Sequence, residues 1–390
     1  MINLHIVRNA VSNDSRVLKE TATLASLGAF SRVEIAGLNE PGYSEHEELG
    51  GRHLWRVELT SRPWPRNLAT QVLKFMEWKH RIVQRYRRQP LAVVHCHDLD
   101  PLPIAVRLKQ LTGARIVYDA HELETEMAGL SETRKALARV AERRGMPFVD
   151  EMITVSPSIK AWYEAAFPGQ RVSLVRNVPE RLALDQSVVN LRAEHGVPED
   201  ALLFLYLGGL SKQRGVELLL AAFEDPRVPH HLLMMGSGPL QPAVLAAAQR
   251  CGRIHYRQPV KPAEVLRHAA GADVGISLIE GISLSYRYCL PNKLFESVLA
   301  GLPVLISDLP DQAAFVAEHD CGWPTACEVP AIVATLLRVD LAEHRRVKQG
   351  LAERTAGLGW AQEEQVLRAL YARLGFASKA AAAAAGAGDA

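Results

Sequence analysis

Residues 290–304 read Leu290-Pro291-Asn292-Lys293-Leu294-Phe295-Glu296-Ser297-Val298-Leu299-Ala300-Gly301-Leu302-Pro303-Val304. Pro291 suits a first helical turn and Gly301 a C-terminal cap, and Pro303 forces the chain out into a following strand. Free N–H groups at the start of such a helix can hold an anion or sugar hydroxyls. Glu296, one turn in, can accept two hydrogen bonds from a ribose diol. Taken alone, the pattern reads more often as a capped core helix with Glu296 facing water. A second stretch, Leu207-Gly208-Gly209-Leu210-Ser211-Lys212-Gln213-Arg214-Gly215, lies between an apolar run and a helical pattern. Its glycines let backbone amides approach a phosphate, and Lys212 and Arg214 can neutralise it. It is not a G-x-x-x-x-G-K-[ST] loop, and no G-x-G-x-x-G follows the first strand, which disfavours a nucleotide triphosphatase or an ordinary dehydrogenase. A third group comprises His95-Cys96-His97-Asp98 and Tyr118-Asp119-Ala120-His121-Glu122, each after an apolar run. H-x-H with acidic neighbours can bind Zn²⁺, and a metal-dependent hydrolase would use His95, His97 and His121. The further strand-end His and Asp ligands of such an enzyme are not apparent. The simpler reading makes His95 a satisfied core histidine and lets His121 face a cleft.

These residues need strands to carry them. Leu4–Val7, Val33–Gly37, Leu91–His95, Arg115–Tyr118 and Met152–Val155 read as buried strands, with helical spacing over 14–27 and Leu102–Leu111 between them. Strand–helix–strand units of this kind make a parallel sheet covered on both faces. The segment 171–186 changes character: Val172–Val175 is a short strand, Asn177 and Pro179 break it, and the polar stretch that follows is a linker. The second half restarts with strands at Leu202–Leu207, His231–Met235, Asp273–Leu278 and Val304–Ser307 and a helix over Val216–Phe223. Gly236-Ser237-Gly238-Pro239 turns one of these strands into a helix. A last helical pattern, Trp360–Leu374, follows the second sheet. The expected domains are therefore 1–175 and 188–359, then a helix over 360–376 and a disordered Ala/Gly tail over 377–390. Ligands of open parallel sheets bind beyond the carboxyl ends of the strands, so the expected site is the cleft between two such domains.

The bulk properties agree with an ordinary enzyme-like chain. It has 390 residues, 48% apolar and 23% charged, with 45 basic and 43 acidic side chains. Two domains are expected from that length. The near-neutral balance argues against a dedicated nucleic-acid binder. Five cysteines without a C-x-x-C pair argue against a disulfide framework or a structural zinc site and fit a reducing cytoplasm. The N-terminus lacks a leader-like apolar run, and no stretch approaches a membrane span. A soluble, cytoplasmic protein is expected.

In order and spacing, the motifs resemble the retaining GT-B glycosyltransferases of family 4, the glycosyl transferases group 1. The resemblance rests on Asn13-Asp14-Ser15-Arg16-Val17-Leu18-Lys19-Glu20, the His95 and Tyr118 segments, the Gly208–Gly215 loop, Gly236-Ser237-Gly238-Pro239-Leu240 and Pro291–Val304. It implies two Rossmann-like domains facing across a cleft, the first binding acceptor and the second nucleotide-sugar, with the final helix crossing back to the first. It implies that Arg214 and Lys212 hold the donor pyrophosphate, that Glu296 is the second Glu of the E-x7-E motif and binds ribose, and that His121 lies near the donor sugar. Gly208, Gly209, Gly236, Gly238, Asn292, Lys293 and Leu294 fall at donor-binding positions. The chain departs from the family where Tyr288 stands for the first Glu, as in a P-N-K-L-F-E subgroup. It departs again where Gly209 stands for an arginine, and where a polar loop over 9–16 replaces a glycine-rich one. In that loop Asp14, Ser15 or Arg16 meets the acceptor, with His97 and Asp98 nearby.

The implied reaction moves a sugar from a nucleoside diphosphate to an acceptor hydroxyl with retained configuration, in polysaccharide or glycoconjugate synthesis. UDP-sugar is the favoured donor and GDP-sugar the next, with no metal and no further cofactor. The departing phosphate oxygen takes the acceptor proton, which fits the lack of a convincing protein nucleophile. Residues 62–88 hold eight Lys/Arg and one acid with Trp64, Phe75, Met76 and Trp78. Such a basic amphipathic helix either lies on an anionic membrane, bringing the enzyme to the inner face of the cell membrane and a lipid-linked acceptor, or packs its apolar stripe on the sheet. Other readings of the same residues are a non-catalytic sugar-nucleotide-binding partner subunit, a sugar-nucleotide 2-epimerase, and the hydrolase above.

Overall fold

In the computed structural model, which describes residues 1–65, 67–181 and 188–377, the apolar runs become two sheets. The first has β1 (Ile2–Ile6), β2 (Arg32–Leu38), β3 (His46–Glu48), β4 (Arg52–Val57), β5 (Leu91–His97), β6 (Arg115–Ala120), β7 (Glu151–Thr154) and β8 (Val172–Leu174). Their order is β3-β4-β2-β1-β5-β6-β7-β8. All neighbours are parallel except β3 and β4. The second sheet has β9 (Leu203–Leu207), β10 (His231–Met235), β11 (Ile254–Arg257), β12 (Val274–Ser277), β13 (Val304–Ser307) and β14 (Gly322–Thr325), in the order β11-β10-β9-β12-β13-β14. It is parallel throughout.

The chain divides into two compact units, Met1–Arg176 with Glu363 onward, and Asn177–Gln362. The helix Trp360–Arg373 therefore starts in the second unit and continues in the first. Of the expected linker, residues 182–187 lie outside the described residues, as do residues 378–390 of the expected tail.

Parallel strands buried on both faces read as continuous apolar runs, which is why β9, β10 and β13 stand out in the sequence. Four strands did not. β14 reads Gly-Trp-Pro-Thr, the composition of a turn, yet it is an edge strand where a proline costs no needed hydrogen bond. β11 is a short edge strand with two polar residues. β3 is three exposed residues, and β4 mixes a buried Arg56 with Leu54 and Trp55. The second core is formed by Phe204, Tyr206, Phe223, Met234, Ile276, Trp323 and their neighbours.

Candidate active site

Side chains alternate across a strand, so Asn3 and His5 share one face of β1, and His95 and His97 one face of β5. Register places His5 opposite His95 and His97 opposite Asp119 at the end of β6. The result is a buried polar row across three neighbouring strands. His5, His95 and His97 stack, with centroids 4.6 Å apart for His5–His95 and 4.5 Å for His95–His97. His5 Nδ1 lies 2.9 Å from His97 Nε2. Two helices supply partners to this row. From Trp360–Arg373, Tyr371 reaches His95 Nδ1 at 3.0 Å through its hydroxyl and accepts from Asn3 at 3.4 Å. From Ser15–Ser26, Arg16 donates to both oxygens of Asp119 at 2.8 and 2.6 Å and to the Val175 carbonyl at 2.7 Å. Glu20, one turn on, lies 3.1 Å from Arg16 Nη2 and 3.5 Å from His95 Nε2.

Burial sets the charges. It pushes the Glu20 carboxyl up, with Arg16 opposing. Burial and then His97 push His95 down to about 3, so His95 is neutral. Burial disfavours the Asp119 carboxylate, but Arg16 and His121 outweigh it and hold Asp119 well below the usual range. His121 behaves differently. Burial opposes its charge, yet Asp98 and Asp119 raise it to about 10. Its Nε2 lies 2.9 Å from Asp119 Oδ2 and its Nδ1 3.4 Å from Asp98 Oδ2, with 20% of the side chain exposed. The Asp98 backbone is left-handed, with φ 69°. That conformation is uncommon outside glycine and concentrates at functional sites. It lets Asp98 N donate to the Asp119 carbonyl at 2.8 Å while Asp98 Oδ1 accepts from His121 N at 3.1 Å. A protonated imidazole fixed on both sides at a strand end is a preorganised donor for a developing negative charge or a sugar oxygen.

Several expectations change here. Arg16 is 3% exposed and its guanidinium is fully used inside the first unit, so it does not meet an acceptor; a charged group this deep stays only where carboxylates pair with it. His97 is likewise buried within the stack. Asp14 caps its helix, accepting from Val17 N at 3.1 Å, and Ser15 is the exposed first helical residue. Among the described residues, His5, His95 and His97, and Glu20, His95, His97 and Asp119, bring ligand atoms close enough for a metal ion. Asp119 is already neutralised by Arg16 and His121, which leaves it little attraction for another cation. His121 falls in neither group. Sequence reasoning passed over His5, Glu20 and Tyr371. Asn-x-His within a buried apolar strand, and Arg-x-x-x-Glu at helical spacing, were the available signals.

In the second unit, the loop after β9 meets the loop after β10 backbone to backbone. Leu210 N donates to Ser237 O at 2.8 Å and Gly208 N to Met235 O at 3.0 Å. A Cβ on Gly236 would stand 1.8 Å from Gly208 O, and Gly238 takes φ 151°. These glycines are thus required by contact between the two loops. Lys212 is exposed and Arg214 half-buried. The helix Asn292–Leu299 follows, with Asn292 exposed and Glu296 half-buried on one turn. Leu294 is fully buried in a core with Phe295, Val298, Ile306 and Phe315, and its N–H donates to the Pro291 carbonyl at 3.0 Å, so the expected donor-binding role does not fall to it. Lys293 is 6% exposed and its Nζ lies 3.9 Å from the centroid of the Tyr206 ring. Burial and then Arg214 push its amine down to about 7, with Cys289 and Glu296 opposing. Tyr288 ends the short helix before this segment and is half-buried.

The helix Leu68–Tyr86 divides its apolar residues. Trp78, Ile82 and Tyr86 pack inward, whereas Leu68, Val72, Leu73 and Met76, with Trp64 ahead of them, are about half exposed or more. Among the described residues no helix is long and apolar enough to cross a membrane.

Residues 15–178 match the family described as a glycosyl transferase 4-like domain, and residues 201–339 match glycosyl transferases group 1. A lipopolysaccharide 1,2-N-acetylglucosaminetransferase of Salmonella typhimurium is 30% identical over 209 residues, covering 50% of this chain and 47% of that protein. The chain spans about half the length of the curated relatives it matches. Among solved structures, a sucrose-phosphate synthase from Thermosynechococcus elongatus is similar with TM-score 0.77 and 18% identity, covering 96% of this chain and 99% of that one. Anabaena HepE in complex with UDP-glucose is similar with TM-score 0.71 and 12% identity, covering 96% and 100%. These likenesses show the GT-B fold.

Proposed function

The chain belongs to the family-4-like glycosyltransferases, and from that premise we propose that it transfers a sugar from a nucleoside-diphosphate sugar to an acceptor hydroxyl, with retained configuration. The observation that carries this reading is the gathering of basic side chains at one end of the second sheet. Lys293, in the first turn of Asn292–Leu299, feels the Arg214 guanidinium of the glycine loop, and Glu296 stands one turn further on. Fixed cations and helix-start amides stabilise a departing diphosphate at no reorganisation cost. Arg214 and Lys212 take the diphosphate, Glu296 the ribose, and Asn292, at the helix start, the adjoining phosphate or sugar oxygens. His121 supplies its protonated imidazole to a sugar oxygen. The departing phosphate oxygen receives the acceptor proton, so no protein nucleophile is assigned.

UDP is the favoured base, since Anabaena HepE, which shares the fold, was solved with UDP-glucose. The Salmonella relative acts on lipopolysaccharide by its name, which supports a polysaccharide or glycoconjugate acceptor. The exposed Trp64, Leu68, Val72, Leu73 and Met76 beside Lys74 and Lys79 support contact with an anionic membrane and a lipid-linked acceptor at the inner face of the cell membrane.

The test is thermal stabilisation by UDP, GDP, dTDP, CMP and ADP. A nucleotide present far above its Kd raises the melting point. One diphosphate should stabilise the native chain and fail with Glu296→Ala and Arg214→Ala. No shift with any nucleotide refutes the donor assignment.

A further inference from the structure

Lys293 is the buried group that the fold leaves unserved. Its Nζ makes no hydrogen bond among the described residues, although the residue is only 6% exposed. A buried ammonium without hydrogen bonds is expensive. The Tyr206 ring face, 3.9 Å away, returns only about 0.5–2 kcal/mol. Tyr206 has no more to offer, because its hydroxyl donates to Gly209 O at 2.9 Å. That same bond ties the ring under Lys293 to the second glycine of the loop carrying Lys212 and Arg214. Resting on the donor reading above, we propose that Lys293 is a third cation of the diphosphate subsite. It lies against the Tyr206 ring in the free protein and moves onto a phosphate oxygen when a nucleoside diphosphate binds.

The charged and titratable groups around it are few. Tyr206 faces it from β9 and Arg214 from the following loop, and Cys289 and Glu296 flank it along its own segment. β12 and β13, packed on the same helix, carry no ionisable residue. The helix Val265–Ala269 on its other side carries Arg267, near Glu264, and His268, whose Nδ1 meets the Glu264 carbonyl. Burial and Arg214 hold the amine at about 7, so in free protein at pH 8 it is mostly uncharged. Against a phosphate dianion it is charged, and the proton comes from solvent.

The measurement is titration calorimetry of the full chain with UDP and with GDP at pH 8, in buffers of different ionisation enthalpy. Binding should take up a large fraction of a proton, and affinity should fall several-fold from pH 8 to pH 9. At pH 8 the nucleotide phosphates are already ionised and His121, at about 10, is already protonated, so neither supplies this signal. Lys293→Met fills the same buried volume without a charge and should bind with no proton uptake; Lys293→Gln serves if Met perturbs folding. Binding without uptake, or uptake that persists in both variants, overturns the inference alone. Failure of both nucleotides to bind overturns the donor reading and this inference with it.

Discussion

Asp119→Asn changes one oxygen to nitrogen at the point where the first unit concentrates its charge. The wild-type carboxylate accepts from Arg16 through both oxygens, at 2.6 and 2.8 Å, and from His121 at 2.9 Å, all in a site closed to solvent on the Arg16 side. Without it, Arg16 keeps the Val175 carbonyl and the Glu20 carboxyl at 3.1 Å. Removing one member of a buried ion pair costs about 3–5 kcal/mol. Glu20 moderates the loss: burial chiefly, and the Asp119 charge besides, hold its carboxyl up, so it ionises more readily once Asp119 is gone. The expected loss is therefore about 3 kcal/mol, which for a unit of this size lowers Tm by about 6–12 °C. The pH sign follows from the depressed Asp119 value. The stabilisation is present above the ordinary carboxylate range and is lost as pH falls through the folded value. The difference between wild type and variant should thus hold from pH 6 to 8 and shrink in acid. The double variant Arg16→Met with Asp119→Leu removes both charges and should recover at least half the loss. Urea and thermal unfolding of the three proteins at pH 7.5 measures this. A single-variant loss under about 1 kcal/mol, or a double variant less stable than the single, would refute the view that this pair sets the charge balance of the unit.

Three further outcomes are expected. Gly236→Ala drives a methyl into the Gly208 carbonyl, 1.8 Å from its ideal position; a loss of about 1–3 kcal/mol with loss of nucleotide-induced stabilisation is expected, and an unchanged Tm would show that the two loops are not pressed together. The His121 imidazole, raised to about 10, gives stability that is full below its unfolded pKa and lost as pH rises through the folded one. The Tm penalty of His121→Ala should therefore be largest near pH 6 and fade towards pH 10, with NMR titration of the ring as the direct check. Leu73→Glu with Met76→Glu places two charges on the exposed face of the Leu68–Tyr86 helix and should abolish co-flotation with anionic vesicles at low salt while leaving Tm within about 1 kcal/mol equivalent; wild-type protein that does not float removes the membrane reading.

Much of the architecture was legible because buried parallel strands announce themselves as unbroken apolar runs. Leu91–His95, His231–Met235 and Val304–Ser307 needed no other signal, although the first runs on to His97 in the structure. Three of the four strands that escaped, β3, β11 and β14, are edges, where half the pairing and half the burial are missing and so half the sequence constraint is missing too; β4 lies inside its sheet and escaped because its run is broken by Arg52, His53 and Arg56. Pro324 in β14 is tolerated only because that strand is an edge. The residue types of the candidate site were legible as well, but their partners were not. A loop arginine at position 16 looks available in sequence, and nothing local says that Asp119, 103 residues away, will take both of its faces. Gly236 and Gly238 were expected at donor-binding positions; in the structure the space a side chain would need there is filled by the backbone of the loop after β9, whereas a Cβ on Gly208 would meet nothing within 4 Å.

The same distinction separates the three kinds of cation in this molecule. Arg16 is charged and spent, its pairing bonds satisfied within the fold. His121 is charged and pinned by two carboxylates, yet 20% exposed, so it can donate without having to move. Lys293 is buried with no hydrogen-bond partner among the described residues. Folding energetics explain the first completely and the second in part. They do not explain the third, because a leucine or methionine at 293 would pack on the Tyr206 ring without the desolvation cost. An amine kept in such a place, beside an arginine that makes its charge still less welcome, is accounted for by an anion that the free protein lacks. The unserved amine of Lys293 thus adds a physical reason, within the second unit, for the donor reading on which its own role depends.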